Sequence, residues 1–380
     1  MKNSPRVAAA SAAVGALLSV PPAHAAQADP ARPALRAAAS SGAGRTGSHP
    51  VRAGLRAPRR GHPGASFGHR GRTAVPGLPG APSLPVRSGA PALGDQDVPP
   101  AVHPMAASQI TRDRLERWWT PDRMRRADPL DDLAAIPMTW RPVPAGRPSE
   151  TPATKPSTGA AWVSGGKVAQ TTGRVFFTYQ GHPASCSGNA VTSANQSTVI
   201  TAGHCVRLDG AWHTDWVFVP GYHNGQAPYG KWTAMRTLTT AQWEAREDLD
   251  YDVGVATVAP LNGRRLTSVV GSQGIAFNQN RHRPMHAFGY PAGAPYDGSK
   301  LTYCGGTPKD DPGKTHDLGL TCDMTSGSSG GPWFLGFDEK TGVGMQNSVN
   351  SFKYDAMPNV MFGPYFGTAI QALYDKAQNI

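Results

Sequence analysis

From Arg174 onward the sequence predicts an all-β fold, a sandwich or barrel, closed by one helix at the C-terminus. Three observations carry this. The apolar segments are short and rich in Val, Phe, Tyr and Thr, turn residues separate them, and no strand pattern alternates with a long helical one. The last point argues against a parallel α/β sheet.

The strands follow in order. Val175-Phe176-Phe177, Thr198-Val199-Ile200-Thr201 and Trp216-Val217-Phe218-Val219 are β-branched or aromatic runs. Val253 to Val258, His286-Ala287-Phe288 and Gly331 to Leu335 continue the pattern, with Pro220-Gly221, Asn224-Gly225 and Asp297-Gly298 as turns. After Thr368 the period changes. Ile370, Leu373, Tyr374 and Ala377 recur at i, i+3, i+4 and i+7, the spacing of a helix with one apolar face.

The N-terminal portion is of another kind. Lys2 and Arg6 precede an apolar run from Val7 to Val20, and Ala23-His24-Ala25 offers small residues for cleavage, so residues 1–25 read as a secretory signal. That run of about 14 residues falls short of the roughly 20 a spanning helix needs. No membrane anchor is expected, and the mature protein is expected outside the cell. Residues 26–158 read as a leader and linker, and 159–380 as the folded domain. From Ala26 to Lys155 there are 19 Lys and Arg against 10 Asp and Glu; from Pro156 onward there are 16 of each. The net charge of +11 therefore lies entirely upstream of Pro156. The Pro, Gly and Arg content of residues 26–105 cannot bury enough apolar surface to offset chain entropy, so that stretch is expected to be largely disordered. A basic arm can bind polyanions, but arginines without interleaved aromatics do not suggest nucleic acid. Between Ala107 and Ala135 a helix is expected, with Ile110, Leu115, Trp118 and Trp119 on one face, Thr111 as its cap and Pro121 as its stop.

Three segments carry chemistry. Thr201-Ala202-Gly203-His204-Cys205 puts a histidine directly after a strand, Asp250-Tyr251-Asp252-Val253 an aspartate directly before one, and Gly327-Ser328-Ser329-Gly330-Gly331 a serine in a glycine-lined turn. Amide hydrolysis needs a nucleophile, a base that later acts as acid, and a group that fixes the base's tautomer. Each segment alone has an ordinary structural explanation. Their order, His then Asp then Ser, behind a secretory signal, points to nucleophilic hydrolysis. Two other readings stay open: a catalytically silent binding module on the same fold, and a polyanion- or wall-associating protein acting through its basic arm. In an oxidising compartment the four cysteines suggest two disulfides. No C-x-x-C is present, and Pro284 between His282 and His286 argues against a helical metal site. No metal and no cofactor are expected.

T-A-G-H-C and G-S-S-G-G-P resemble the two signature motifs of the trypsin-like (chymotrypsin-fold) serine peptidases. Cys186 to Val191 resembles the cysteine strand that precedes them, and Trp119 to Met124 the leader of actinobacterial members. The similarity covers roughly residues 173–380 and lies nearest the bacterial secreted branch that includes the glutamyl endopeptidases. It implies two antiparallel six-stranded β-barrels with the active site between them, peptide or protein substrates, and a monomer. Carried over, His204 is the general base, Ser329 the nucleophile, and the N–H groups of Gly327 and Ser329 the oxyanion hole, worth about 3 kcal/mol each in comparable sites. The family's D-h-G-h pattern selects Asp252 as the orienting acid, with Asp250 as fallback. Cys186 is expected to pair with Cys205, and Cys304 with Cys322.

Specificity is less legible. Asp323 lies six residues before Ser329, where trypsin-like enzymes receive Lys or Arg, yet Cys322 is out of step with their cysteine. If Ser348 is the serine that lines the pocket, Asn347 stands where glutamyl endopeptidases place a histidine, which argues against glutamate at P1 and leaves neutral, apolar or basic side chains. The residue before Ser329 is the uncharged Ser328, so the oxyanion hole is expected to form without a buried N-terminal ion pair.

Overall fold

The structure, a computed structural model, describes residues 98–106, 108–136, 157–313 and 315–380, without side chains at 157 and 158. The signal segment 1–25 and most of the basic stretch 26–105 lie outside the described residues.

Six antiparallel strands close the first half into a barrel. Trp232–Thr239, Gly254–Val258, Thr198–Thr201, His182–Ala190, Thr172–Tyr179 and Thr214–Pro220 hydrogen-bond in that order. The last returns to the first through Trp232↔Phe218 and Thr233↔Val217. The run Val175-Phe176-Phe177 divides its side chains by the strand period of two. Val175 and Phe177 enter the barrel core beside Trp216 and Phe218, while Phe176 packs with Val217, Val219, Phe288 and Phe334 on the other face. Both faces are covered, which is why these strands read as continuous apolar runs.

The second half uses two sheets. One has six strands, in the order Gly274–Ile275, Val343–Val349, Pro332–Asp338, Met285–Gly289, Thr302–Gly306, Ser157–Ala161; the other has Lys309–Asp310, Leu318–Thr321 and Val360–Gly363. They close over Trp333, Met285, Leu320 and Met361, and the disulfide Cys304–Cys322 ties one to the other. Register shifts at Tyr303/Gly305, Trp333/Phe334 and Leu335/Asp338 bend these strands, as bulges do. The C-terminal helix Thr368–Gln378 lays Ile370, Leu373 and Ala377 on the core of the first barrel.

The segment ahead of the first barrel is partly structured, which corrects the expectation for the end of 26–105. Ala101–Pro104 adds a strand to the edge of Trp232–Thr239, with Val102 opposite Leu238, and His103 stacks on Trp212 at 5.1 Å. The order comes from a borrowed sheet edge, which composition cannot reveal. The helix Gln109–Trp118 is capped by Ser108, whose Oγ accepts from Thr111 N, not by Thr111. Its packing face is Leu115 followed by Trp119, four residues apart and both buried, whereas Ile110 and Trp118 face outward. Pro121 starts a second short helix, Pro121–Arg126, capped by Thr120. Asp128–Pro129 then pairs in parallel with Ala184 and Ser185, and Leu130–Leu133 forms one helical turn.

Candidate active site

His204 follows the strand Thr198–Thr201, and Asp252 ends the turn Leu249–Tyr251 just ahead of Gly254–Val258. These two strands are neighbours, with Thr201 opposite Gly254, so the ladder itself brings the histidine to the aspartate. Asp252 Oδ2 lies 2.7 Å from His204 Nδ1, and its Oδ1 accepts from His204 N at 2.8 Å. Ser351 Oγ donates to the same Oδ2 at 2.6 Å. Both partners are fully buried. Asp250, the fallback, turns away to bind His316, and Asp248 pairs with Arg246.

His204 is also held through its backbone. Its carbonyl meets His213 Nε2 at 2.7 Å, and His213 stacks on Phe177 at 4.4 Å. Burial pulls the His213 imidazole down to about 4, so at neutral pH it is uncharged. The disulfide Cys186–Cys205 fastens the residue after His204 to the strand His182–Ala190.

Ser329 sits in a turn whose glycines are required. Gly327 has φ +89° and Gly330 φ +79°, where L side chains are strained, and a Cβ on Gly330 would lie 2.1 Å from Thr201 Oγ1. Ser187 N donates to Ser329 O at 2.8 Å, and Ser187 Oγ donates to Gly327 O at 2.9 Å. The first barrel thus fixes the serine turn of the second half.

The groups converge on one carboxylate that sequence reasoning missed. Asp131, from the helical turn Leu130–Leu133, places Oδ2 3.0 Å from Ser329 Oγ and 3.2 Å from Gly327 N, both of which donate to it. Its Oδ1 lies 3.4 Å from His204 Nε2. Burial disfavours the charged imidazole, but the charge of Asp252, the contact with Asp131 and the bond to Asp252 outweigh it and push His204 up to about 10. For Asp131 burial likewise works against the charge, and His204, Ser329 and Gly327 prevail, holding the carboxyl below its ordinary range.

Beside Ser329 lies a cavity of about 630 Å³ lined by Met324, Phe352, Lys353 and Met361 together with Asp131 and Ile136. Asp323, Asn347 and Ser348, expected at a substrate pocket, are not among the residues that line this cavity. Asp323 accepts from Tyr296 OH, Asn347 donates to Ala276 O, and Ser348 donates to Pro364 O. The serine that touches Asp252 and borders the cavity is Ser351, three residues further on. Asn350 precedes it, buried, bonded to Phe288 O, Ser328 O and Trp333 Nε1. Lys353 Nζ donates to Cys322 O and Pro358 O, and burial lowers it to about 8.

Among the described residues one group of His, Cys, Asp and Glu donors is compact enough for a metal: Cys186, His204 and Cys205. Its two sulfurs are bonded to each other, leaving no thiolate to ligate. His282 and His286 pair separately with Asp310 and Glu339. Among the described residues no helix is long and apolar enough to cross a membrane.

A closed six-stranded barrel joined to a second β-rich half, with His204, Asp252 and Ser329 at their junction, defines the chymotrypsin-fold class. The chain belongs to the trypsin-like (chymotrypsin-fold) serine peptidases. It is 46% identical to the protease Anisep from Arthrobacter nicotinovorans, with a TM-score of 0.53 over 56% of this chain and 96% of that one. It is 43% identical to AL20, a thermostable serine protease from an extremophilic microorganism, with a TM-score of 0.53 over 56% of this chain and 99% of that one. An extracellular metalloprotease of Bacillus subtilis (strain 168) is 28% identical over 155 residues, 40% of this chain; the match spans 47% of that protein, about half its length. No family model matches the sequence.

Proposed function

We propose that this chain is a secreted serine endopeptidase that hydrolyses peptide bonds through an acyl-enzyme. The observation that carries the reading is convergence: Ser329 Oγ and Gly327 N donate to one and the same oxygen, and His204 Nε2 faces the other oxygen of that carboxylate. With a peptide carbonyl in that place, Ser329 Oγ attacks the carbon and passes its proton to His204. Asp252 holds the imidazole in the tautomer that accepts at Nε2 and stabilises the imidazolium that forms. The oxyanion is met by the N–H of Gly327, with Ser329 N as second donor. His204 then protonates the leaving amine, and water repeats the sequence on the acyl-enzyme.

The cavity supports a neutral, apolar P1 side chain. Met324, Phe352 and Met361 offer apolar walls, the carboxylate of Asp323 is engaged by Tyr296, and the amine of Lys353 is committed to two carbonyls. Secretion, with residues 1–25 as signal and 26–158 as leader and linker, agrees with the two disulfides. The test is a peptide map of the full chain after overnight exposure to a fluorophosphonate. Ser329 should carry the adduct, and Ser329→Ala should carry none. A map without an adduct on Ser329 in both the wild-type chain and Asp131→Ala refutes the proposal.

A further inference from the structure

We infer that Asp131 is an autoinhibitory carboxylate, and that the leader keeps the full chain latent by seating this one side chain on Ser329, Gly327 and His204. The inference rests on the peptidase reading above and adds to it how the site is regulated. Asp131 Oδ2 holds the donors a substrate oxygen needs, at 3.0 and 3.2 Å, and Oδ1 stands 3.4 Å from the imidazole that must receive the serine proton. No peptide carbonyl can enter while it is there. The occupant is inert, because a carboxylate anion carries no leaving group and resists addition of an alkoxide.

The side chain is delivered by a rigid mount. Leu130, its neighbour, is fully buried in the core of the first barrel. Asp128 and Pro129 pair with Ala184 and Ser185, whose hydroxyl also reaches Ala127 O and Asp128 O at 3.3 and 3.1 Å. On the other side Asp132 accepts from Ser326 Oγ at 2.6 Å. Further upstream Met124 and Trp119 are buried, and Trp119 Nε1 donates to Asp215 O at 2.8 Å. None of these contacts depends on chain continuity through residues 137–156. Cutting the chain there leaves the carboxylate in place, so relief of latency requires the leader to leave its seat.

The experiment measures how fast a fluorophosphonate labels Ser329 in the purified full chain. Ser329 Oγ bonds to phosphorus, fluoride leaves, and the proton passes to His204. Asp131→Ala should label at least about tenfold faster than wild type, since the blocked population falls with the contact that maintained it. Asp122→Ala, which removes the same charge from an exposed side chain paired only within its own short helix, should stay within about threefold. Hydrogen exchange of the helix Gln109–Trp118 should match wild type in both. If Asp131→Ala loosens that helix, Asp131→Asn keeps the shape and one acceptor, and should label at an intermediate rate with the leader still seated. Equal rates in wild type, Asp131→Ala and Asp122→Ala overturn the inference while leaving the peptidase reading intact, as does an equal acceleration in the two alanine variants. Absence of label from every variant removes the peptidase reading and this inference with it.

Discussion

Replacing Trp119 by alanine tests how the leader is held. Its indole is fully buried against Phe176, with ring centroids 5.5 Å apart, in a cluster that includes Val217, Val219 and Tyr222. A side chain of this size removes about 200 Å² from water, and at about 25 cal/mol/Å² that is about 5 kcal/mol. Trp→Ala substitutions in cores cost about 3–5 kcal/mol, and loss of the bond from Nε1 to Asp215 O adds roughly 1 kcal/mol. Taking about 4 kcal/mol, the equilibrium for opening the leader should shift by about three powers of ten. Ile110, on the same helix, is 81% exposed, so Ile110→Ala should change it by no more than about 0.5 kcal/mol. Native-state hydrogen exchange at the amides of Trp119 and Met124, which close onto Leu115 O and Thr120 O, reads both. Equal loss of protection in the two variants would refute the reasoning, because burial would then not decide what holds the leader.

Four further outcomes are expected. Ser329→Ala should lower peptide hydrolysis by about four or more powers of ten with little change in thermal stability, measured by single-turnover kinetics and calorimetry. His213 is neutral in the fold with its pKa at about 4 against an ordinary 6.5. Its contribution is therefore complete above pH 6.5 and lost as pH falls toward 4, about 3 kcal/mol in all; urea midpoints of wild type minus His213→Asn, which keeps a donor for His204 O, should show that slope. Substrates differing only at P1 should favour Met, Leu and Phe over Lys and Glu by about tenfold or more in kcat/KM, and a preference for Lys would return Asp323 to the pocket. Ser328 donates to Thr325 O, which closes the oxyanion turn locally, so a few extra residues at the processed N-terminus should leave most activity in place; loss on extension, restored by trimming, would disprove that.

The parts of the site legible in the sequence are those fixed by local chain features. His204 and Asp252 sit at the ends of two strands that happen to be neighbours in the barrel, and Ser329 sits in a turn that only glycine-rich chain can make. Strands whose apolar pattern is strong, such as Thr172–Tyr179 and Thr214–Pro220, were equally readable. Val343–Val349 was not. It carries Gly344, Gln346 and Asn347; only its end from Gln346 to Val349 is continuously buried, and Gln346 there accepts from Asn189 at 2.9 Å, a partner 157 residues away. Asp131 escaped for the same reason, since its contact with Ser329 spans 198 residues. Ser348 and Ser351, three residues apart, are indistinguishable by composition. Only the bond from Ser351 to Asp252 chooses between them.

The blocked site is a charge copy of the step it blocks. In the acyl transfer proposed above, a negative oxygen forms beside Gly327 N while His204 carries a proton, and the proposed site is complementary to that pair rather than to neutral substrate. While seated, Asp131 supplies the negative oxygen, and its presence favours the proton on His204. This accounts for the opposite displacements of the two groups, His204 up to about 10 and Asp131 below its usual range, each caused in part by the other. The docked leader therefore draws on the same donors that stabilise the intermediate. A substitution that weakens the oxyanion hole should weaken both substrate turnover and the hold of the leader, whereas one at Trp119 touches only the hold. That asymmetry separates the carboxylate's electrostatic fit from the hydrophobic mount that delivers it. It also explains why one aspartate on a single helical turn suffices. The barrel supplies the complementarity, and the leader has only to present a charge at the right place.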